Sequence, residues 1–388
     1  MTGDNVHMAR AIMLARLGTG KTSPNPLVGA VIVRDNKIIS EGWHTAYGAP
    51  HAEAEAIEKA GAEARGATLY CNLEPCCHRT PEKLTPPCTD RIINAGIRRV
   101  VFAVRDPNPH VAGLGQKTLE DAGVETSSGV ASSAALLLNE PFVAWIQRRL
   151  PYVHLKIAQT LDGRIAAPDG SAQWISSEPS RVAVHEMRAR YDAVLVGSAT
   201  VQTDNPSLTV RHIEGRNPAR IIVDTGLTSL RNARVLSDAA APTFLACSSQ
   251  VAERASGFAP HVGLIACRLD ARGRVDLDHL IEQLPEYGIT SVLVEGGGAI
   301  ASSFIRAGLV DRLTVFTNPS LMGAGVPWLQ DISFGSATER PRLERVIQTR
   351  SGDDVLVSGL MNTKRTYGTL EAPEVIDGVL PWNITGVE

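Results

Sequence analysis

Hydrophobic and polar positions along this chain switch repeatedly between the helical and the strand period. Val6, Ala9, Ile12 and Met13 recur at helical spacing, and Asp4 is placed to cap that helix. The stretch from Thr22 to Pro26 carries two prolines and breaks the pattern. VGAVIV and KIISEGW then flank Asp35 and Asn36, which predicts a β-hairpin. HAEAEAIEKAGAEA is rich in alanine and glutamate and predicts a helix. ATLYCNL reads as a strand, CTDRIINAG as a helix, RRVVFAV as a strand, QKTLEDAG as a helix and VETSSGV as strand-like. Such alternation implies an α/β layered sheet.

A second α/β region follows. Helical LLLNEPFVAWIQRR runs to Arg148, and Pro151 opens the strand YVHLKIAQT. DAVLVG, ARIIVDT, TFLAC and SVLVEGG read as buried strands, with RVAVHEMRARY and AIASSFIRAGL as helices. The periodicity fades after about Lys364. The expected division is therefore residues 1–148, residues 149–363 and a tail over 364–388, and a length of 388 residues suits two domains. No internal repeat is visible.

Bulk chemistry narrows the function classes. A formal net charge of -3 gives no general basic character for nucleic acid, though a local basic patch for a phosphorylated substrate stays open. MTGDNVHMAR lacks the layout of a signal peptide, and no apolar run reaches the roughly 20 residues of a membrane helix. Cys71, Cys76, Cys77 and Cys88 fall in one stretch, while Cys247 and Cys267 lie apart. That distribution reads as reduced thiols in the cytosol, with the cluster metal-binding before disulfide-forming. No nucleic-acid or membrane partner is expected, and a homo-oligomer is.

The strongest candidate chemistry lies in His51-Ala52-Glu53, Pro75-Cys76 and Pro87-Cys88. Zinc takes imidazole and thiolate ligands, and a catalytic site keeps three protein ligands plus an open position. His51, Cys76 and Cys88 supply three. Zinc makes hydroxide available near neutral pH, and hydroxide can attack a carbon bearing an exocyclic amine. The leaving amine must also gain a proton. Glu53, two residues beyond a ligand at the start of a helix, can shuttle it without ligating; this is the layout of zinc deaminases of nucleobases. The second cysteine of that layout would fall at Arg79, whereas here it is Cys88, beyond the loop CHRTPEKLTPP. Cys88 opens a predicted helix, whose positive end favours thiolate. Cys77 and His78 compete for the ligand role. A structural zinc site, with four protein ligands, would have no use for Glu53. Cys71 reads as a core residue of its strand.

The second half is quieter. It has no GxGxxG after its first strand. Glu295 precedes Gly296, Gly297 and Gly298 between a strand and a helix; these glycines suit either phosphate at the helix N-terminus or tight packing. Asp204 and Arg211 bracket a polar turn after DAVLVG, as sugar or phosphate contacts or as a cap and a solvated side chain.

Several runs together are much more specific. TSPNPLVGAVIV, EGWHTAYGAPHAEAEAI, LEPCCHRT and TPPCTDRIINAGIRRVVFAVRDPNPHVAG resemble the bacterial bifunctional riboflavin-biosynthesis deaminase–reductase family, over about residues 5–362. LKIAQTLDGRIA, QWISS, VGSATVQTDNPSLTVR and VLVEGGG resemble its reductase half. The resemblance implies a cytidine-deaminase-like N-terminal domain and a dihydrofolate-reductase-like C-terminal domain. It implies zinc-dependent deamination of 2,5-diamino-6-(5-phosphoribosylamino)pyrimidin-4(3H)-one, then reduction of the ribosyl group to ribityl with NADPH. By position His51, Cys76 and Cys88 become zinc ligands, Glu53 the proton donor, and Asn25 and His44 substrate contacts. NADPH contacts become Ala158, Trp174, Thr200, Asp204, Thr225 and the run Gly297, Gly298, Ala299, Ile300, Ala301, Ser302 and Ser303. Substrate contacts of the reductase become Arg188, Leu208, Arg211 and Glu295. Two departures stand out. The loop between the cysteines is longer than usual, and Ala172 replaces a frequent substrate-contacting serine, with Ser171 as the nearest substitute.

Overall fold

The computed structural model describes residues 3–79, 85–227 and 233–361. The chain forms two compact units, one ending at Arg149 and the other beginning at Leu150. The stretch after residue 361, including the expected tail, lies outside the described residues.

The first unit runs α1 (Gly3–Arg16), β1 (Gly29–Arg34), β2 (Lys37–Trp43), α2 (Ala52–Ala60), β3 (Thr68–Cys71) and α3 (Cys88–Asn94). It continues with β4 (Arg99–Phe102), α4 (Leu114–Asp121), β5 (Glu125–Ser128) and α5 (Ser132–Arg148). Its sheet has the order β2-β1-β3-β4-β5. β1 is antiparallel to β2 and β3, and the remaining pairs are parallel. The hairpin turn is Asp35-Asn36, both at positive φ, as a two-residue turn matching strand twist requires.

Helix α1 differs from expectation in two ways. Its buried face is Met8, Ala11, Ile12 and Ala15, whereas Val6 is about half exposed. Asp4 is no cap. It lies in the first turn, where its carboxylate accepts hydrogen bonds from Tyr70 Oη at 2.7 Å and Arg99 Nη2 at 3.0 Å. The ion pair ties the start of the helix to β4. Cys71 is fully buried in β3, among the apolar residues of the core. In α5, Pro141 has no N–H to donate, and the helix kinks at Asn139. The kink frees Asn139 to clamp Leu27, accepting from its N–H at 2.8 Å and donating to its carbonyl at 2.9 Å.

The second unit comprises β6 (Tyr152–Thr160), β7 (Arg164–Ala166), α6 (Glu178–Arg190), β8 (Ala193–Gly197), α7 (Ser198–Asp204) and β9 (Ala219–Val223). Then come α8 (Arg234–Ser237), β10 (Thr243–Ser248), α9 (Ser249–Ala252), β11 (Val262–Cys267), α10 (Leu277–Gln283), β12 (Ser291–Glu295) and α11 (Gly298–Ala307). The chain closes with β13 (Arg312–Asn318), β14 (Val326–Pro327), β15 (Leu343–Ser351) and β16 (Asp354–Met361). The large sheet has the order β11-β10-β9-β8-β12-β6-β13-β16-β15. Its strands are parallel from β11 to β13, and β16 and β15 add antiparallel. Strands buried on both faces explain the unbroken apolar runs of AVLV and SVLV. Among the polar residues buried in this unit is a histidine. His154 is fully buried, its Nδ1 2.6 Å from Tyr191 Oη and its Nε2 2.7 Å from Thr314 Oγ1. Burial pushes its imidazole well below the ordinary histidine range. Helix α7 separates β8 from the polar stretch that Asp204 and Arg211 bracket, and residues 205–211 form neither helix nor strand. Among the described residues, no helix is long and apolar enough to cross a membrane.

Candidate active sites

In the first unit, His51 stands immediately before α2, Cys76 follows β3, and Cys88 begins α3. The fold brings these three side chains together. Cys76 Sγ lies 3.5 Å and Cys88 Sγ 3.3 Å from His51 Nδ1, and all three ligand atoms fall within 4.8 Å of one another. Around a tetrahedral zinc, with Zn–S about 2.3 Å and Zn–N about 2.0 Å, neighbouring ligand atoms sit about 3.6 Å apart. The donor set and its spacing therefore fit zinc. The Cys88 N–H donates to Cys76 Sγ at 3.4 Å, as thiolate sulfur favours. The alternatives go elsewhere. Cys77 Sγ faces the His110 carbonyl at 3.7 Å, and the His78 ring lies beside the His110 ring.

Glu53 occupies the first turn of α2 and is 3% exposed. Burial pushes its carboxyl above the ordinary range, and its Oε2 has no hydrogen-bond partner among the described residues. A buried unpaired carboxylate oxygen is costly, so such an atom awaits a bond from something that enters the site. A cavity of about 390 Å³ opens there, lined by Asn25, His44, His51, Glu53 and Cys76, with Trp145 and Arg149 contributed from the end of α5 and just beyond it. Asn25 Nδ2 is 3.2 Å from His44 Nε2, and the opposite nitrogen of His44 is 3.0 Å from the Pro50 carbonyl. Burial lowers the His44 pKa.

Three buried polar residues that sequence reasoning did not single out build this cavity. Asn72 accepts from Gly29 N–H and donates to the Leu27 carbonyl, both at 2.8 Å, and with Asn139 it fixes the chain entering β1 just after Asn25. Glu74, 2% exposed, accepts from the amides of Asp106 at 3.2 Å, Gly113 at 3.0 Å and Gln116 at 3.0 Å. It thereby holds the DPNPHVAG loop against the segment that carries Cys76. Gly115 completes the join, since a Cβ there would lie 2.2 Å from the Pro75 carbonyl oxygen. Only the Glu–Pro–Cys order of residues 74–76 hinted at this role.

The second unit has a cavity of about 580 Å³ at the carboxyl ends of β6, β8 and β12, where open parallel sheets bind ligands. Arg188 and Glu295 meet there as a bidentate pair, at 2.6 and 2.9 Å, and both side chains are 11% exposed. Burial alone would raise Glu295, yet the Arg188 guanidinium holds its carboxyl below the ordinary range. Burial lowers the Lys156 ammonium nearby, against the pull of Glu295. His185 was not anticipated from sequence. Burial, then the charges of Arg188 and Arg211, push it down to about 3, and its Nδ1 accepts from the Arg211 N–H at 3.1 Å.

The expected contacts divide between those on the cavity and those away from it. Ala158, Trp174, Thr200, Asp204, Gly297 and Gly298 line the wall, as do Arg188, Leu208, Arg211 and Glu295. Thr225 is engaged elsewhere, accepting from Val275 N–H at 3.2 Å. Ala301 joins the core, Ser302 Oγ accepts from Gln330 N–H, and Ser303 Oγ donates to the Ala299 carbonyl. Ile300 packs on that core. Ala172 lines the cavity, whereas Ser171 is turned to Asp169, to which its Oγ donates at 2.6 Å. Tight packing accounts for two of the three glycines of the run and not for the third. A Cβ on Gly296 would strike Ile300 at 2.1 Å, and one on Gly298 would strike Gln330 and the Pro327 carbonyl at 2.5 and 2.7 Å. At Gly297 the nearest atom is Thr200 Oγ1 at 3.7 Å, which leaves its face open.

Comparison with known proteins converges on the same division. Residues 1–104 match the cytidine and deoxycytidylate deaminase zinc-binding region, and residues 151–357 match the RibD C-terminal domain. The riboflavin biosynthesis protein RibD of Bacillus amyloliquefaciens is 41% identical over 362 residues, covering 92% of this chain and 96% of that protein. The Escherichia coli RibD is 39% identical, covering 83% and 89%. The crystal structure of a diaminohydroxyphosphoribosylaminopyrimidine deaminase/5-amino-6-(5-phosphoribosylamino)uracil reductase from Thermotoga maritima superposes with a TM-score of 0.81. It is 38% identical and covers 92% of this chain and 99% of that one. A cytidine-deaminase-like zinc domain joined to a dihydrofolate-reductase-like domain defines a two-headed deaminase–reductase. Within that class, the chain belongs to the RibD family of riboflavin biosynthesis.

Proposed function

We propose that the first unit hydrolytically deaminates 2,5-diamino-6-(5-phosphoribosylamino)pyrimidin-4(3H)-one and that the second reduces the ribosyl group of the product to ribityl with NADPH. The observation that carries this reading is the trio His51, Cys76 and Cys88 beside the buried Glu53, whose Oε2 has no partner among the described residues. A relative of matched length bearing both activities in its name supports it.

Zinc, when bound, makes hydroxide available at neutral pH. Glu53 takes up the proton released from water and delivers it to the departing amine, a job suited to a carboxyl whose burial raises its affinity for protons. Asn25 and His44, which line the same cavity, orient the pyrimidine. In the second unit NADPH supplies hydride, and the cavity aligns it with the sugar carbon. Gly297 and Gly298, with the free amides at the start of α11, suit its phosphates. Trp174, Ala158, Thr200 and Asp204 would contact NADPH, with Asp204 toward its nicotinamide end. Arg211 takes the substrate phosphate, for which its planar fork is suited. Arg188 and Glu295 present a fixed ion pair to the sugar. Six cysteines without a disulfide suit a reducing compartment such as the cytosol.

The test is to feed the purified chain the diaminopyrimidine ribotide and follow ammonia and NADPH separately. Ammonia is expected without NADPH, and NADPH oxidation only once deaminated product accumulates. NADPH oxidation that precedes ammonia release, or ammonia release that survives complete removal of zinc, would overturn the assignment.

A further inference from the structure

We propose that Thr85 is the positioning residue that fixes the orientation and tautomer of the zinc ligand His51. The inference rests on the zinc reading above and adds a residue to it. Thr85 Oγ1 lies 3.1 Å from His51 Nε2, on the far side of the ring from the two thiols, which face Nδ1. An imidazole that ligates through Nδ1 carries its one proton on Nε2, so Nε2–H donates to the Thr85 hydroxyl oxygen. A ligating histidine needs such an outer partner to hold its ring plane and raise its basicity. Here that partner is a hydroxyl, and it comes from the segment that supplies another ligand.

Residues 85–88 read Thr-Pro-Pro-Cys, and the two pyrrolidine rings restrict the backbone between the hydroxyl and the thiol. The segment reaches all three ligands. Thr85 meets His51, the Cys88 N–H donates to Cys76 Sγ, and Cys88 offers its own sulfur. Thr85 also borders the deaminase cavity, so its O–H proton is available to a group inside it.

The experiment compares Thr85→Val, Thr85→Ala and Thr85→Ser in the full chain, with zinc affinity read by competition against a chromogenic chelator. Loss of an outer partner of this kind costs about 10- to 100-fold in metal affinity. Thr85→Val and Thr85→Ala should each weaken zinc by that factor, and Thr85→Ser should restore it. Amide proton spectra of each metal-free variant that overlay the parent's for residues of the first unit report that this unit is folded. Unaltered zinc affinity in Thr85→Val, or a Thr85→Ser as weak as Thr85→Ala, overturns the proposal. A measurement needing no variant is the nitrogen-15 spectrum of the histidine-labelled, zinc-loaded chain. His51 should carry its proton on Nε2, protected from exchange; a proton on Nδ1 overturns the proposal. Zinc retention by Cys88→Ser would instead sink the ligand assignment on which the proposal rests.

Discussion

In the first unit, three candidate ligand atoms crowd within 4.8 Å, and beside them lies the buried Glu53, whose Oε2 has no partner among the described residues. In the second, a cavity of about 580 Å³ draws its wall from β6, β8, β12, α6, α7 and the turns between them. The first site is defined by atom types, because a metal accepts only certain donors at set distances. The second is defined by backbone approach and by an arrangement of charges, in which many residue types serve. A metal centre should therefore fail abruptly on single substitutions, and a dinucleotide cleft should fail by degrees.

The largest expected effect lies in the first site. Cys88→Ser should lose most of the bound zinc, measured per subunit by atomic emission. Glu53→Gln should keep the metal while ammonia release falls about 100- to 10,000-fold. Neither change should slow NADPH oxidation when the deaminated product is supplied. A Glu53→Gln enzyme that releases ammonia normally would end the proton-shuttle role.

The second site should yield more gradually. Arg211→Ala leaves a phosphate without a charged hydrogen bond, a loss of about 1.5–3 kcal/mol, or roughly ten- to more than a hundredfold in kcat/KM for reduction. Ammonia release should be untouched. If a folded Arg211→Ala enzyme stops deaminating, the two activities share one site and the comparison collapses.

A smaller effect separates packing glycines from ligand glycines. Gly297→Ala meets nothing closer than 3.7 Å in the protein, so its thermal stability should match the parent while its KM for NADPH rises. Gly298→Ala must displace Gln330 and the Pro327 carbonyl, so it should lower the melting temperature as well. Equal NADPH KM values for Gly297→Ala and the parent would make the whole run structural.

The smallest effect concerns pH and lies away from both sites. His154 is held neutral in the fold, below the 6.5 of an ordinary histidine. The unfolded chain therefore binds a proton that the native chain refuses. Stability is full above pH 6.5 and declines as pH falls from there toward the depressed native value, with a slope of up to about 1.4 kcal/mol per pH unit from this residue. Urea melts on both sides of that pH should show a shallower decline in His154→Gln. An unchanged slope would mean that His154 is not the group responsible.

Legibility from sequence followed the same contrast. The elements of the first sheet were readable because short strands of Val, Ile and Leu alternate with well-marked turns and alanine-rich helices. His51, Cys76 and Cys88 were readable because few residue types can ligate. Helix α7 was not, since SATVQTD buries only Val201 and shows no period. β15 was missed because LERVIQTRS is an edge strand with polar residues on both faces. Asp4 reads as a cap because its partner Arg99 lies 95 positions away, a separation to which periodicity is blind. Asn72, Glu74 and Asn139 escaped for a related reason. Their partners are backbone amides and carbonyls, which every residue possesses, so no pattern of side chains announces them.

Glu74 carries a consequence for how the first site opens. One carboxylate is the acceptor for three amides spread over residues 106 to 116. These amides share one buried acceptor, so movement of Glu74 releases all three together. They should exchange with solvent deuterium as a single cooperative unit, on the timescale of the rarest opening among them. The DPNPHVAG loop then behaves as a latch of one bolt, and its exchange rate is a clock for how often the wall behind Cys76 comes apart.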